Sequence, residues 1–115
     1  MSAVLTSVAD QYVRSINSGD AAGYLALFAE DAVVDDGGRE FRGVDAIGKW
    51  SASDIFAVQV SLEVLEEEQR DGEAVLTTRV DGNFDRTGLP DPVIIVHRLV
   101  VEGDKVKRLT CRLAE

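Results

Sequence analysis

The sequence predicts an α+β fold: three N-terminal helices packed on a bent, mostly antiparallel sheet. Three observations carry that expectation. Apolar residues recur at three- and four-residue steps in the first half of the chain. From Val58 onward the period changes to two. The pairs Asp71-Gly72 and Gly103-Asp104 then punctuate the second half as hairpin turns. Helices come first and strands later, which separates the pattern from an alternating α/β chain.

The first helix is expected over 2–17. Val4, Leu5, Val8, Tyr12, Val13 and Ile16 form one apolar face, and Ser2 is placed to cap the start. Asn17-Ser18-Gly19 ends it, and Asp20 caps a second helix over 21–29 with Leu25 and Phe28 facing inward. Ala32-Val33-Val34-Asp35 reads as a short strand. Gly37-Gly38 turns it into Arg39-Glu40-Phe41-Arg42. A third helix follows over about 44–53, with Val44, Ile47 and Trp50 on one face and Asp45 near its positive end. Strands are expected from Val58 to Val64, from about Glu73 to Phe84, from Val93 to Val101 and from Val106 to Leu113. The prolines and glycine of 85–92 mark a loop.

The 115 residues suffice for one core, so a single domain over 1–115 is expected. A formal charge of −9 repels phosphate backbones and anionic lipid, which argues against nucleic acid or a membrane as partner. No stretch approaches the ~20 apolar residues of a membrane span. The first residues lack the basic start and apolar core of a signal peptide. With Cys111 as the single cysteine no intrachain disulfide forms, and a cytoplasmic location is expected. One thiol and one histidine are too few for a zinc site. No phosphate loop, nucleophile elbow or cofactor fingerprint is present, so no cofactor is expected.

Four stretches resemble the nuclear transport factor 2-like superfamily, of the ketosteroid isomerase and SnoaL-like polyketide cyclase type. They are Gln11 to Asp20, Leu25 to Asp36, Arg42 to Ile47 with Trp50 following, and His97-Arg98-Leu99 leading to Val106 through Leu109. They span almost the whole chain in order. The resemblance implies a cone in which a curved sheet wraps a deep apolar pocket. It also implies a small hydrophobic ligand and a homodimer paired through the sheet. It does not choose among isomerases, cyclases, dehydratases, epoxide hydrolases and binding modules, because fold does not fix function.

On this resemblance Asp36 is the candidate base. In ketosteroid isomerase an aspartate at this spacing moves a proton between carbons. The bland alternative is that Asp35-Asp36-Gly37-Gly38 is a solvated turn. Tyr12 is the candidate oxyanion donor, and its bland reading is an amphipathic core tyrosine. Trp50, Phe28, Val96 and Arg98 are expected to line the ligand site. Val96 stands where ketosteroid isomerase carries a protonated aspartate, and valine donates no hydrogen bond. The lost donor typically costs ~3 kcal/mol of transition-state stabilisation. If Val96 faces the pocket, His97 faces away and is structural or at a dimer surface. Arg98 either holds a carboxylate or enolate, or forms a cross-strand ion pair with Asp81 or a glutamate of 63–68. Cys111 reads as an inert core thiol.

Three functions follow. The first is an isomerase or cyclase using Asp36 and Tyr12 on a carbonyl compound. The second is a module that binds such a ligand without converting it. The third is an assembly role, with the cone filled by Trp50, Phe56 and Phe84.

Overall fold

A computed structural model describes residues 3–114, and the expected cap at Ser2 lies outside them. The first helix, α1 (Ala3–Ser18), buries Leu5, Val8, Ala9, Tyr12 and Ile16, while Val4 is left exposed. Asn17 ties its end to the sheet. The side chain donates to the Leu62 carbonyl at 3.0 Å and accepts from the Leu62 amide at 2.7 Å.

The second helix, α2 (Ala21–Leu25), is capped by Asp20, which accepts from the Gly23 amide at 2.9 Å. It is shorter than the expected 21–29. Phe28 already opens strand β1 (Phe28–Asp36), which runs parallel to the last strand with Phe28 opposite Val106. The Val106 amide donates to the Leu27 carbonyl at 2.8 Å. Sheet pairing thus captures residues that local helix propensity would have kept.

Gly37 and Gly38 both have positive φ, 61° and 95°, the conformation that a two-residue hairpin turn requires. The turn leads into β2 (Arg39–Arg42) and sets Arg39 opposite Asp36. Helix α3 (Gly43–Ser51) follows, and one π-helical turn, Ala52–Phe56, continues it. Its amide bonds run five residues back, Ala57 to Ala52 at 2.9 Å and Val60 to Ile55 at 2.9 Å. Such single π turns recur at functional sites because they re-aim neighbouring side chains.

Strands β3 (Ser61–Arg70), β4 (Glu73–Asp81), β5 (Val93–Glu102) and β6 (Lys105–Leu113) form an antiparallel meander. The expected strand at Val58 begins three residues later, because the π turn and its exit occupy the segment up to Val60. The sheet order is β2-β1-β6-β5-β4-β3, and β1 and β6 pair in parallel. The α+β class, the three leading helices and the mostly antiparallel curved sheet are as the sequence predicts.

The inner face carries Ala74, Leu76, Thr78 and Val80 of β4, Val93, His97 and Leu99 of β5, and Leu109 and Cys111 of β6. Helix α1 packs across β3, β4 and β5, and α3 packs on β1 and β2. Among the described residues no helix is long and apolar enough to cross a membrane.

Candidate functional site

The two helix layers do not close fully over the sheet. They leave a cavity of about 160 Å³ at the end of the sheet where β1 finishes. Its lining is mostly apolar: Ile16 from α1, Ile55 from the π turn, Leu62, Val80, Val93 and Ile95 from the strands, and Phe84 from the loop after β4. The polar groups in the lining are Tyr12, Asp36, Trp50, Asp54, His97 and Cys111. An apolar space with a few convergent polar groups is the general form of a small-molecule site. At this volume it suits a single-ring compound; an engineered cavity of ~150 Å³ accommodates benzene. Trp50 and Phe84 form walls and do not plug it, and Phe56 packs against Tyr24 with centroids 5.5 Å apart.

Asp36 is the last residue of β1, opposite Cys111 on one side and Arg39 on the other. Its side chain is 30% exposed, which places it at the mouth. The Trp50 indole donates to Oδ2 at 3.1 Å and the Arg39 guanidinium donates to the same oxygen at 2.9 Å. Oδ1 accepts no hydrogen bond among the described residues. Arg39 also donates to Asp54 Oδ2 at 2.8 Å, so one cation joins the two carboxylates of the rim. The two carboxylates in turn raise the guanidinium pKa, Asp54 foremost.

Tyr12 occupies the inner end and is 1% exposed. Its hydroxyl lies 2.7 Å from Nδ1 of His97. On the other side of that ring, Nε2 lies 2.9 Å from the Thr78 hydroxyl. Burial holds the Tyr12 phenol well above its ordinary value, helped by the nearby Tyr24 and Cys111. The group is therefore a proton donor and not a base. Burial also lowers the His97 pKa to about 4, so the imidazole is neutral at pH 7. It pushes the Cys111 thiol up to about 12, and the thiol is unreactive. Tyr24, its ring 5.6 Å from that of Tyr12, has a buried hydroxyl with no partner in hydrogen-bond geometry among the described residues. Among the described residues no three His, Cys, Asp or Glu side chains gather as metal ligands.

Of the residues expected at the site, Tyr12, Asp36 and Trp50 meet in this cavity. Val96 and Arg98 do not. They lie on the outer sheet face, and Arg98 pairs with Glu73 at 3.5 Å. Side chains alternate along a strand, and β5 has the parity opposite to the expected one, so Val96 and His97 exchange faces. His97 points inward and is buried. Phe28 is likewise absent from the lining. It packs in the core against Tyr24, with centroids 5.2 Å apart, because it belongs to β1 and not to a helix.

Four residues of the site escaped sequence reasoning: His97, Thr78, Arg39 and Asp54. Two signals were available. Arg98 is charged while Leu99 is apolar, which assigns the His97–Leu99 side of β5 to the core. The two-residue turn at Gly37-Gly38 places Arg39 opposite Asp36. Asp54 depends on the π turn and had no local signal.

A protein-family model described as a SnoaL-like domain matches residues 9–109. The chain belongs to the SnoaL-like domain family. Among solved structures, a candidate polyketide cyclase from Sinorhizobium meliloti superposes with a TM-score of 0.82 at 25% identity, covering 92% of this chain and 94% of that one. A protein from Sphaerobacter thermophilus gives a TM-score of 0.77 at 27% identity, covering 94% of each chain. A Δ5-3-ketosteroid isomerase from a Mycobacterium species gives 0.76 at 20% identity, covering 95% of this chain and 92% of that one. The last likeness is one of fold alone.

Proposed function

We propose that this chain binds a small, single-ring hydrophobic carbonyl compound and transfers a proton within it, as an isomerase or cyclase without a cofactor. Asp36 takes a proton from the carbon next to the carbonyl. The electron pair moves into a new carbon–carbon double bond, and the oxygen takes the negative charge. Tyr12 donates a hydrogen bond to that oxygen. Return of the proton at another carbon gives an isomer. Attack of the same carbon on a second carbonyl gives a ring. Either outcome balances without an oxidant or reductant.

One observation carries this reading: a carboxylate with one oxygen that accepts no hydrogen bond among the described residues and a protonated phenol line one mostly apolar cavity. Membership of the SnoaL-like family and the fold shared with a candidate polyketide cyclase support it. The test does not need the natural substrate. Incubation with 2-cyclohexenone in D2O, followed by proton NMR, reads exchange at the acidic carbons. Exchange catalysed by the native chain and lost in Asp36→Asn, with folding intact, is the expected result. Undiminished exchange in that variant removes Asp36 as base. Binding without any exchange leaves a carrier function, the reading favoured by the engagement of Oδ2 by both Arg39 and Trp50.

We further infer a homodimer through the outer sheet face, with no nucleic-acid or membrane partner, working in the cytoplasm. The half-buried Ile94, Val96 and Val100 support the pairing. They lie on one face of β5 beside Val75 and Thr77 of β4. The charge of −9 and the single cysteine support the rest.

A further inference from the structure

Thr78 sits on β4, two register positions from the pair that holds His97 and on the same sheet face: Leu76 is opposite His97 and Thr78 is opposite Ile95. It is fully buried, so its hydroxyl proton must find an acceptor inside the protein. Two are within reach, the Ile95 carbonyl at 3.4 Å and Nε2 of His97 at 2.9 Å. Hydroxyl donors prefer about 2.5–3.0 Å, so the ring nitrogen is the better acceptor by a wide margin.

The consequence passes through the ring. A neutral imidazole carries one proton, and the low pKa that burial gives His97 keeps it neutral. When Nε2 accepts from Thr78, the ring proton sits on Nδ1. Two atoms face Nδ1: the Tyr12 oxygen at 2.7 Å and the Cys111 sulfur at 3.8 Å. Sulfur is the weaker and more distant acceptor, so Nδ1–H donates to the Tyr12 oxygen. That oxygen is then an acceptor on its inner side, and its own proton is left to point elsewhere. The buried Tyr24 hydroxyl, without a partner in hydrogen-bond geometry among the described residues, and the Cys111 sulfur are the protein groups near enough to compete for it. The other acceptor open to it is a ligand oxygen in the cavity that Tyr12 lines.

The opposite tautomer uses the same heavy atoms with the opposite result. Nε2–H would donate to Thr78, Thr78 would rely on its 3.4 Å contact, and Tyr12 would give its proton to Nδ1. The phenol would then present only lone pairs to the cavity and could not stabilise an oxyanion.

We propose that Thr78 is a positioning residue. Its hydroxyl, donating to Nε2 of His97, holds the ring proton on Nδ1 and so frees the Tyr12 proton for an acceptor in the cavity. The assignment rests on the reading of Tyr12 as donor to a ligand oxygen, and it adds Thr78 and His97 to that site.

His97 is the only histidine of the chain, so ring-15N-histidine labelling gives one pair of ring-nitrogen resonances. At neutral pH the expected spectrum shows Nδ1 protonated and Nε2 bare; a protonated Nε2 overturns the proposal. Thr78→Val keeps the shape and removes the hydroxyl. It is expected to move the ring proton to Nε2. It is also expected to weaken binding of 4-nitrophenolate, a stable stand-in for an enolate, by about tenfold or more. Thr78→Ser restores both. A Thr78→Val protein with an unchanged ring spectrum overturns the assignment, and should that variant not fold, the native spectrum and Thr78→Ser still decide.

Tyr12→Phe separates the two claims. If it binds 4-nitrophenolate as well as the native chain while the native ring carries its proton on Nδ1, the donor reading of Tyr12 fails and the tautomer stands. If binding is lost while the native ring is protonated on Nε2, the donor reading stands and the role of Thr78 fails.

Discussion

The Trp50 indole donates to Oδ2 of Asp36 across 3.1 Å, which makes an aromatic wall of the cavity and its carboxylate one unit. The indole N–H fixes Oδ2, and Oδ1 accepts no hydrogen bond among the described residues. Trp50→Phe keeps most of the ring and removes the donor. Stability is expected to fall by about 1 kcal/mol, the net worth of one hydrogen bond. Proton exchange should fall more steeply, because the carboxylate loses its orientation. Urea unfolding and NMR exchange on the same sample check the two together.

Stability should depend on pH through His97. Its folded pKa, about 4, lies below the ordinary value of 6.5. Between those values the unfolded chain binds the extra proton, so stability rises with pH there and is fully present above about 6.5. Acidification from 6.5 toward 4 should cost about 3 kcal/mol. Asp31, Asp35, Asp81 and Asp85 have pKa values lowered from 3.8, so their share is lost only below about pH 5. In His97→Leu the slope between about pH 6.5 and 5 should vanish whatever the absolute stability. Denaturant midpoints across that range measure it.

Gly82 begins the loop that carries Phe84 over the cavity. It has φ of 152°, and an added Cβ would meet the Val58 carbonyl oxygen at 3.0 Å, Phe84 at 3.1 Å and the Val60 Cα at 3.2 Å. Backbone on two sides cannot give way cheaply. Gly82→Ala is expected to cost about 1–3 kcal/mol. It should also shift the fluorescence of Trp50, the sole tryptophan, which lines the same cavity as Phe84. Unchanged thermal unfolding and emission would refute this.

Val96, half-buried on the outer face between Thr77 and Arg112, tests the homodimer. A glutamate there would bury two charges across a symmetric interface, and each fully desolvated charge is strongly unfavourable. Val96→Glu should sediment as a monomer where the native chain sediments as a dimer, with the cavity unaffected. A native chain that sediments as a monomer removes the proposed pairing.

Much of the fold was legible because period is a local property. The spacing of Leu5, Val8, Tyr12 and Ile16 marks a helix face, and the turns at Asp71-Gly72 and Gly103-Asp104 mark hairpins. Errors fell where a distant partner decides. Phe28 reads as helix by its neighbours but joins β1 because Val106 is there to pair with. The segment after Trp50 reads as the end of an ordinary helix but takes a π turn.

Site residues follow the same division. Asp36, Tyr12 and Trp50 could be named because they sit on motifs that a family resemblance marks. Val96 and Arg98 fall on the wrong face because the family resemblance puts Val96 in the place of an inward-facing aspartate, and the apolar run Ile94-Ile95-Val96 does not oppose it; only the contrast of Arg98 with Leu99 marks the true inner side. Thr78 had no signal at all. A threonine in a strand is ordinary until a histidine ring lies 2.9 Å away.

The sequence by itself determined the α+β class, the order of the helices and strands, the acidic balance and the family. All of these depend on composition and short-range pattern. Only the tertiary structure decided that His97 turns inward to Tyr12 and that Arg39 joins Asp36 to Asp54. It alone also showed that the cavity is the size of one ring. Those facts depend on strand register and on how the helices close over the sheet, where one residue of shift sends a side chain to the opposite face.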